Sequence, residues 1–383
     1  MGNKLIVILG AGFSANAAMP TAAGIAERFN RDLREKLIRF SSSEWAWTDD
    51  KSEIDLNNGT LNFDYLAYSY VFNELIRRYL EERGSFVYYE DFYQFIIDKF
   101  QDYQWVEDVF KNAKCDLLKD RPYLNDNNYN RRYLFAFDTK QFSNVSAIVN
   151  YLIYDLLWKI PKADEELLEI YKGFITYLKR FDQVEIFTLN HDLLLEHLFD
   201  IHHIRYSRGF NFEGSPLFYK GKAVQFFNNK FTEDFKIHKL HGSIDFFRFD
   251  YFFQGDQFYL EPTGKYDYYA ISDYLTKHGV TKIDSNTGKV VQVMNSDIVP
   301  KFITGTRKRN IIDKDDLFKT LFNNYEKCLR ETDNLLVSGY SFSDIHLNET
   351  LSVRKFNYIN HNPGKPYPFE GNGKNIKIFN ELI

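Results

Sequence analysis

Four segments of this 383-residue sequence have β-strand patterns, and each ends in a short polar or glycine-rich stretch. They are continuous apolar runs, or alternate apolar with polar residues, over strand-like lengths: Lys4–Leu9, Val184–Leu189, Phe235–Leu240 and Asn334–Val337. Helical patterns lie between them, as in chains that form parallel sheets. Ligands bind beyond the carboxyl ends of such strands. The convergence of four polar strand ends therefore limits both the fold and the position of a site.

The first strand runs into Gly10-Ala11-Gly12-Phe13-Ser14, and a helical pattern follows from about Thr21 to Leu37. Glycines in such a turn permit a tight bend and a close backbone approach to a pyrophosphate, which the following helix amides can face. The acidic residue that usually follows about twenty positions later is missing. An ordinary strand-to-helix turn is therefore the alternative interpretation.

The second and third strands end in the residues best suited to chemistry. Thr188-Leu189-Asn190-His191-Asp192 offers the Asn190 amide, which can donate to and accept from sugar hydroxyls. His241-Gly242-Ser243 offers a histidine that titrates near neutrality. Alternatives stay open: Asp192 is a good helix cap, His191 fits a packed or solvated ring, and His241 could simply bond a turn carbonyl.

The fourth strand leads into Ser338-Gly339-Tyr340-Ser341-Phe342-Ser343-Asp344. Gly339 permits close backbone approach, and Ser341 and Asp344 could bond an adenosine ribose or phosphate. A capped turn into the next helix is compatible with both roles. Upstream, Arg307, Lys308 and Arg309 form a basic cluster, which we interpret as a solvated loop, with phosphate or nucleic-acid contact as the alternative.

These patterns predict an α/β protein with a Rossmann-like, doubly wound, mostly parallel sheet. The predicted parts are a discontinuous core (1–37 and 181–350), a mixed strand-rich insertion within it (about 249–300), a helical insertion (38–180) and a tail (351–383) that ends in a short strand, Ile376–Phe379.

Composition removes several classes of protein. Cys115 and Cys328 are the only cysteines, which excludes a disulfide framework and a four-cysteine zinc module and favours a cytoplasmic location. The apolar run Leu5–Leu9 is shorter than the hydrophobic core of a signal peptide, and no apolar stretch of the sequence is long enough to span a membrane. A net charge of −5 argues against a protein that coats nucleic acid. The 18% aromatic content predicts a thick core or large interfaces.

Taken together and in their order along the chain, the four motifs at the strand ends resemble those of the sirtuin (silent-information-regulator) superfamily. Sirtuins have a Gly-Ala-Gly-x-Ser turn, a Thr-Gln-Asn-Ile-Asp strand end, a catalytic His-Gly pair and a late Gly-Thr-Ser loop. The resemblance implies NAD⁺ as substrate, with Asn190, His241 and Asp192 as catalytic residues. It also implies a set of NAD⁺-binding residues: Gly10, Ala11, Gly12, Phe13, Ser14, Thr188, Gly339, Tyr340, Ser341 and Asp344.

The departures from sirtuins are informative. The zinc cysteines are absent, so no zinc is expected, and Met19-Pro20-Thr21-Ala22-Ala23 replaces the sirtuin Ile-Pro-Asp-Phe-Arg block. The form Gly-Tyr-Ser-Phe-x-Asp, present at Gly339–Asp344, resembles the sirtuin-like NAD-consuming domains of bacterial anti-phage defence. That resemblance implies hydrolysis of NAD⁺ to nicotinamide and ADP-ribose. It further implies a homo-oligomer that acts with a HerA-family ATPase ring.

Two other functions remain open on the sequence. The chain could be an NAD-dependent protein-lysine deacylase, although the missing zinc module argues against it. It could also be a non-catalytic scaffold that binds NAD or ADP-ribose, although such a binder needs no titratable base. Nuclease action is suggested by the basic cluster alone.

Overall fold

The computed structural model describes residues 3–33, 37–39, 45–47, 60–125, 137, 139–254, 260–271, 281–283, 290–296 and 299–382. The chain forms two compact units. The first contains Met1–Met19, Ile160–Ile303 and Arg309–Ile383, and the second contains Pro20–Lys159 and Thr304–Lys308. No helix among the described residues has the length and apolarity that crossing a membrane requires.

The described strands, in chain order, are β1 Lys4–Leu9, β2 Leu37–Arg39, β3 Trp45–Trp47, β4 Gln183–Thr188, β5 Tyr206–Ser207, β6 Phe210–Asn211, β7 Leu217–Tyr219, β8 Lys222–Ala223, β9 Gln225–Phe227, β10 Phe235–Lys239, β11 Phe246–Gln254, β12 Leu260–Ala270, β13 Thr281–Ile283, β14 Val290–Ser296, β15 Asn334–Ser338, β16 Phe356–His361 and β17 Gly371–Ile376. The described α-helices are α1 Ala11–Ala15, α2 Ala22–Asp32, α3 Thr60–Arg83, α4 Tyr89–Lys99, α5 Tyr103–Asp120, α6 Ser143–Trp158, α7 Asp164–Leu178, α8 Leu194–Ile201, α9 Lys308–Lys314, α10 Asp316–Glu331 and α11 Ile345–Ser352.

The first unit is built on a seven-stranded sheet in the order β17-β16-β15-β1-β4-β10-β5. Every neighbouring pair in it is parallel. Consecutive residues of β1 point to opposite faces, and Leu5 to Leu9 are all 0% exposed, so both faces are covered. This is a Rossmann-like α/β fold with a parallel sheet, as the sequence predicted.

A second sheet in the same unit has eight strands in the order β6-β9-β12-β11-β14-β13-β7-β8. Its pairings are antiparallel, and β11 and β12 form its longest hairpin. The predicted strand-rich region of about 249–300 covers only part of this sheet, because β11 starts at Phe246 and β6 to β9 join the sheet from residues 210–227. The hairpin interpretation of its Tyr- and Phe-rich sequence is confirmed.

The second unit is mainly helical, with α2 to α6 and a small antiparallel ladder of β2 and β3. Its core includes rings of Phe86, Phe92 and Phe95 around Tyr79, with centroids 5.0 to 5.4 Å from that ring. The sequence prediction instead counted residues 38–180 as the helical insertion. The structure puts α2 in this unit and α7 in the sheet unit.

Two helix predictions need correction. The helix predicted over Thr21–Leu37 is α2, whose described range is Ala22–Asp32, and its predicted cap is confirmed because Thr21 Oγ1 accepts from the Gly24 amide at 3.2 Å. The helix predicted over Lys314–Arg330 is α10, which follows a separate helix, α9. Asp315 separates the two, since its carboxylate caps α10 by accepting from the Leu317 amide at 3.1 Å.

The predicted C-terminal tail is also wrong as a description of residues 351–383. β16 and β17 extend the parallel sheet beyond β15, and the predicted strand Ile376–Phe379 does not form. β17 ends at Ile376, and Phe379–Leu382 is a 3-10 helix. The β17 sequence, Gly-Asn-Gly-Lys-Asn-Ile, is almost entirely polar, so its pairing at the sheet edge overrides its low intrinsic strand propensity.

Candidate active site

The strand register brings the predicted motifs to one edge of the parallel sheet. Leu9 lies opposite both Thr188 and Ser338, and Thr188 lies opposite Lys239. The four loops therefore leave the sheet from the same row. Because Asn190 and His241 each follow this row by two residues on paired strands, they emerge side by side, at the edge where ligands of such sheets bind.

The first and last motifs are in direct backbone contact. The Gly12 amide donates to the Gly339 carbonyl at 3.0 Å, and the Gly10 amide donates to Ser338 O at 3.0 Å. A Cβ on Gly339, whose φ is +65°, would lie 1.9 Å from the Phe13 nitrogen. A Cβ on Gly12 would lie 2.8 Å from Gly339 Cα. These glycines are required because the two loops touch each other.

This contact changes the expected role of the turn. The sequence interpretation has glycine backbone and helix amides facing a pyrophosphate, yet the amides of Gly10 and Gly12 are bonded to the neighbouring loop. The Phe13 amide donates to Gly10 O at 2.9 Å. Ala11 and Gly12 are nevertheless exposed at this edge, so a ligand can reach them. The NAD⁺-binding role of Gly10 to Ser14 stays a prediction.

Asn190 is held by its amide nitrogen. Nδ2 donates to Gly10 O at 3.0 Å and to Ser14 Oγ at 2.9 Å, and the residue is 8% exposed. A carbonyl oxygen only accepts, so the nitrogen must face Gly10 and the side-chain orientation is fixed. No described residue bonds Asn190 Oδ1. Ser14 thus positions the catalytic candidate, and its predicted role in binding NAD⁺ stays a prediction.

The neighbours of Asn190 shape its loop. Thr188 Oγ1 accepts from the Asn190 amide at 3.1 Å. Asp192 Oδ1 accepts from the Leu194 amide at 3.0 Å at the start of α8, which agrees with the capping alternative. Oδ1 of Asp192 is thus bonded to the helix, and the expectation that Asp192 orients Asn190 or a ribose stays a prediction.

His191 behaves as a packed residue. Its ring lies against Phe302, with centroids 4.8 Å apart. Its carbonyl accepts from the Ile244 amide at 3.0 Å and from Ser243 Oγ at 3.3 Å, which ties the Asn190 loop to the loop that follows His241. The sequence ranking of Asn190 above His191 agrees with these contacts.

A buried ionic network lies behind these two loops, and the sequence analysis missed it. Lys239, 1% exposed, is 3.2 Å from Glu196 and also donates to the Asp192 carbonyl. Arg208 pairs with Glu196 at 3.5 Å and with both oxygens of Asp245 at 2.8 and 2.9 Å. Burial lowers the pKa of Arg208, but the two carboxylates raise it by more. The signal available in the sequence was a lysine, Lys239, at the end of a strand with alternating apolar residues.

His241 lies in a second polar cluster with Asp344 and His346. Its Nε2 is 3.9 Å from Asp344 Oδ1, and its ring centroid is 5.7 Å from that of His346. His241 is 3% exposed and His346 7%, whereas Asp344 is less buried. The sequence named Asp344 for ribose or phosphate contact; here its carboxylate is a counter-charge for His241. His346 was missed because its position in α11 gave no signal.

One donor atom from each of these three residues lies within 4.8 Å of the others, a set that could hold a divalent cation. The sequence predicts no metal. Elemental analysis of the purified protein tests that prediction, and this cluster is the first place to look for any metal that is found.

The Gly339–Asp344 loop keeps its shape through its own side chains. Tyr340 is buried, and its hydroxyl donates to Asn348 Oδ1 at 3.0 Å. Ser341 is exposed, and its hydroxyl lies 2.7 Å from that of Ser343. Tyr340 thus fixes the loop, and the exposed Ser341 is open to a ligand.

The row of strand ends continues to His361, another residue that sequence reasoning missed. Its Nδ1 lies 2.9 Å from Ser338 Oγ, and its Nε2 lies 3.2 Å from the Lys377 carbonyl. A carbonyl only accepts, so Nε2 carries the proton and Nδ1 accepts from Ser338. Burial lowers the pKa of His361.

The basic cluster is neutralised by carboxylates. Arg307 pairs with Asp98 at 3.0 Å, Lys308 with Glu90 at 3.2 Å and Arg309 with Asp313 at 3.1 Å. These pairs argue against phosphate or nucleic-acid contact. The predicted solvated loop is wrong for Lys308 and Arg309, because both lie in α9.

Comparison with known proteins adds one match. The family model described as the SIR2-like domain matches residues 184–367. The matched range begins within β4 and includes the Asn190, His241 and Gly339 loops, whereas the Gly10 turn lies outside it. No curated protein matches the chain. Residues 184–367 are thus similar to a SIR2-like domain, which links this region to NAD-dependent chemistry.

Proposed function

We propose that this protein is an NAD⁺ glycohydrolase that cleaves the nicotinamide–ribose bond and gives nicotinamide and ADP-ribose. The observation that carries the proposal is the anchored Asn190 amide, in a loop that leaves the sheet from the same row of strand ends as the His241 loop. Two hydrogen bonds fix Nδ2, so Oδ1 is a preorganised acceptor at the sheet edge. The SIR2-like match supports NAD⁺ as the substrate class.

The chemistry needs little from the protein beyond position and a base. The C–N bond to nicotinamide breaks, and its electron pair neutralises the ring charge of the leaving group. The ribose, now resembling an oxocarbenium ion, takes water. Asn190 Oδ1 accepts from a ribose hydroxyl or from that water. His241 receives the proton that the water loses and passes it to solvent.

Asp344 is a positioning residue in this scheme. Its oxygen, 3.9 Å from His241 Nε2, places a negative charge beside the imidazolium that forms when the proton arrives. Ser14 and Gly10 position Asn190. Asp192 and the Lys239–Glu196 pair hold the loop.

A peptide competition experiment separates the hydrolase from a deacylase. Purified protein is given NAD⁺ with and without an acetyl-lysine peptide, and products are identified by mass spectrometry. The proposal expects ADP-ribose at the same rate in both cases. Consumption of NAD⁺ that requires the peptide and gives acetylated ADP-ribose would contradict it.

The role in anti-phage defence, the homo-oligomer and the HerA-family ATPase ring stay predictions. Light scattering on the purified chain, alone and mixed with such an ATPase, tests the assembly. A monomer whose NAD⁺ turnover does not respond to the ATPase would contradict the assembly prediction.

A further inference from the structure

A polar cavity lies toward the amino ends of the strands, away from the edge of the sheet that carries Asn190. Its volume is about 380 Å³, and it lies between the sheet and α10. The residues that line it come from β1, β4, β10, α10 and the segment before β10: Lys4, Glu185, Asn229, Phe231, Lys236, His238, Asn324, Lys327, Cys328 and Glu331. The volume falls in the range of small-molecule sites.

His238 is a rigid acceptor in the wall of this cavity. It is 2% exposed, and its ring is stacked between Phe187 and Phe231 with centroids 4.6 and 4.2 Å away. Its Nε2 lies 2.9 Å from Glu185 Oε2, so Nε2 carries the proton. Burial lowers the pKa of His238, although Glu185 raises it, so Nδ1 holds a lone pair at neutral pH. Nδ1 is buried, and no described residue bonds it.

The charges of the cavity favour an anion. Three lysines and two glutamates line it. Lys236 is matched by Glu185, with Nζ 2.7 Å from Oε1. Among the described residues, the ammonium groups of Lys4 and Lys327 have no ion-pair or hydrogen-bond partner. Two cations are thus available to one ligand, with Glu331 as the single unmatched carboxylate.

We propose that this cavity binds a sugar phosphate. Lys4 and Lys327 would bind the phosphate, and a sugar hydroxyl would donate to His238 Nδ1. The hydroxyl is needed because an unprotonated nitrogen accepts and cannot bond a bare phosphate oxygen. The proposal goes beyond the hydrolase activity and does not depend on it.

Calorimetric titration of the full chain with ribose 5-phosphate tests the site. We expect saturable binding that Lys327→Gln weakens by about tenfold, the usual effect of removing one charge-assisted hydrogen bond. Lys319→Gln is the matched control, because Lys319 is an exposed lysine of α10 outside the cavity. It should bind as the wild type does.

The probes distinguish the two halves of the ligand. Ribose and inorganic sulfate, which carries no proton at neutral pH, should each bind at least about tenfold more weakly than ribose 5-phosphate, since each loses one set of bonds. Equal binding of sulfate would overturn the role of His238. Unchanged binding in Lys327→Gln, or no binding at all to the wild type, would overturn the site.

Discussion

β10 separates two polar regions that differ in how they are built. Beyond its carboxyl end, His241 joins Asn190 in loops tied together by backbone bonds. Within the strand, His238 is stacked between two rings and faces lysines from other elements. The first region is made of consecutive residues that follow strands, whereas the second is made of single residues scattered through the chain. Only the first leaves a motif in the sequence.

The largest effect is expected from a variant that should impair one region and leave the other unchanged. His241→Ala should lower NAD⁺ turnover by about 10²–10⁴-fold, the usual contribution of a general base, while ribose 5-phosphate binding stays unchanged. His197→Ala is the control, since that histidine pairs with Asp164 on the surface. Turnover within a few-fold of wild type would remove His241 from the mechanism.

The next test concerns Asn190, which lies in a loop at the carboxyl ends of the strands. Asn190→Ala should lose about 10²-fold in turnover because a preorganised polar group at the reacting centre is removed. Ser14→Ala should lose less, about three- to tenfold, since it removes one of two bonds that fix Asn190. His191→Ala should also lose far less than Asn190→Ala. Equal losses of turnover in Asn190→Ala and His191→Ala would contradict the specific role of Asn190.

A stability comparison tests the loop contact. Gly339→Ala should destabilise the protein by about 2–5 kcal/mol, from a left-handed alanine and a backbone overlap. Gly364→Ala should cost only about 1–2 kcal/mol, because Gly364 also has positive φ, at +80°, but open space around it. Thermal unfolding measures both. Equal losses would mean that the Gly12–Gly339 approach has little energetic weight.

The smallest effect concerns the acid side of the stability curve. Burial lowers the pKa of folded His238, so the folded state binds fewer protons than the unfolded state below about pH 6.5. The stability that neutral His238 contributes is fully present above that pH, and it is lost as the pH falls through the lower pKa of the folded state. Melting temperatures from pH 7 to 5 should therefore fall less steeply in His238→Gln. An unchanged slope would contradict the buried, neutral histidine.

The sequence predicted the strands and the order of the motifs because parallel core strands are continuous apolar runs. β1 was predicted without error, and β4, β10 and β15 to within one residue at each end. The two C-terminal strands, β16 and β17, were not predicted, because the pairing of polar strands beyond β15 depends on a neighbouring strand and not on local composition.

Side-chain roles were harder to predict than positions. Asn190 and His241 lie together because the strand register places them so, which the order of motifs implied. That Ser14 holds Asn190, or that Asp344 faces His241, depends on loop conformations that no spacing encodes. The Lys239 network and the His238 cavity depend on residues far apart in the chain, so their chemistry is visible only after folding.

Hydrolysis of NAD⁺ by this protein can be measured by incubating the purified chain with NAD⁺ alone, at several protein concentrations, and quantifying the products. We expect nicotinamide and ADP-ribose in equal amounts, at a rate that His241→Ala lowers by about 10²–10⁴-fold. Intact NAD⁺ at every concentration, or a product other than ADP-ribose, would contradict it.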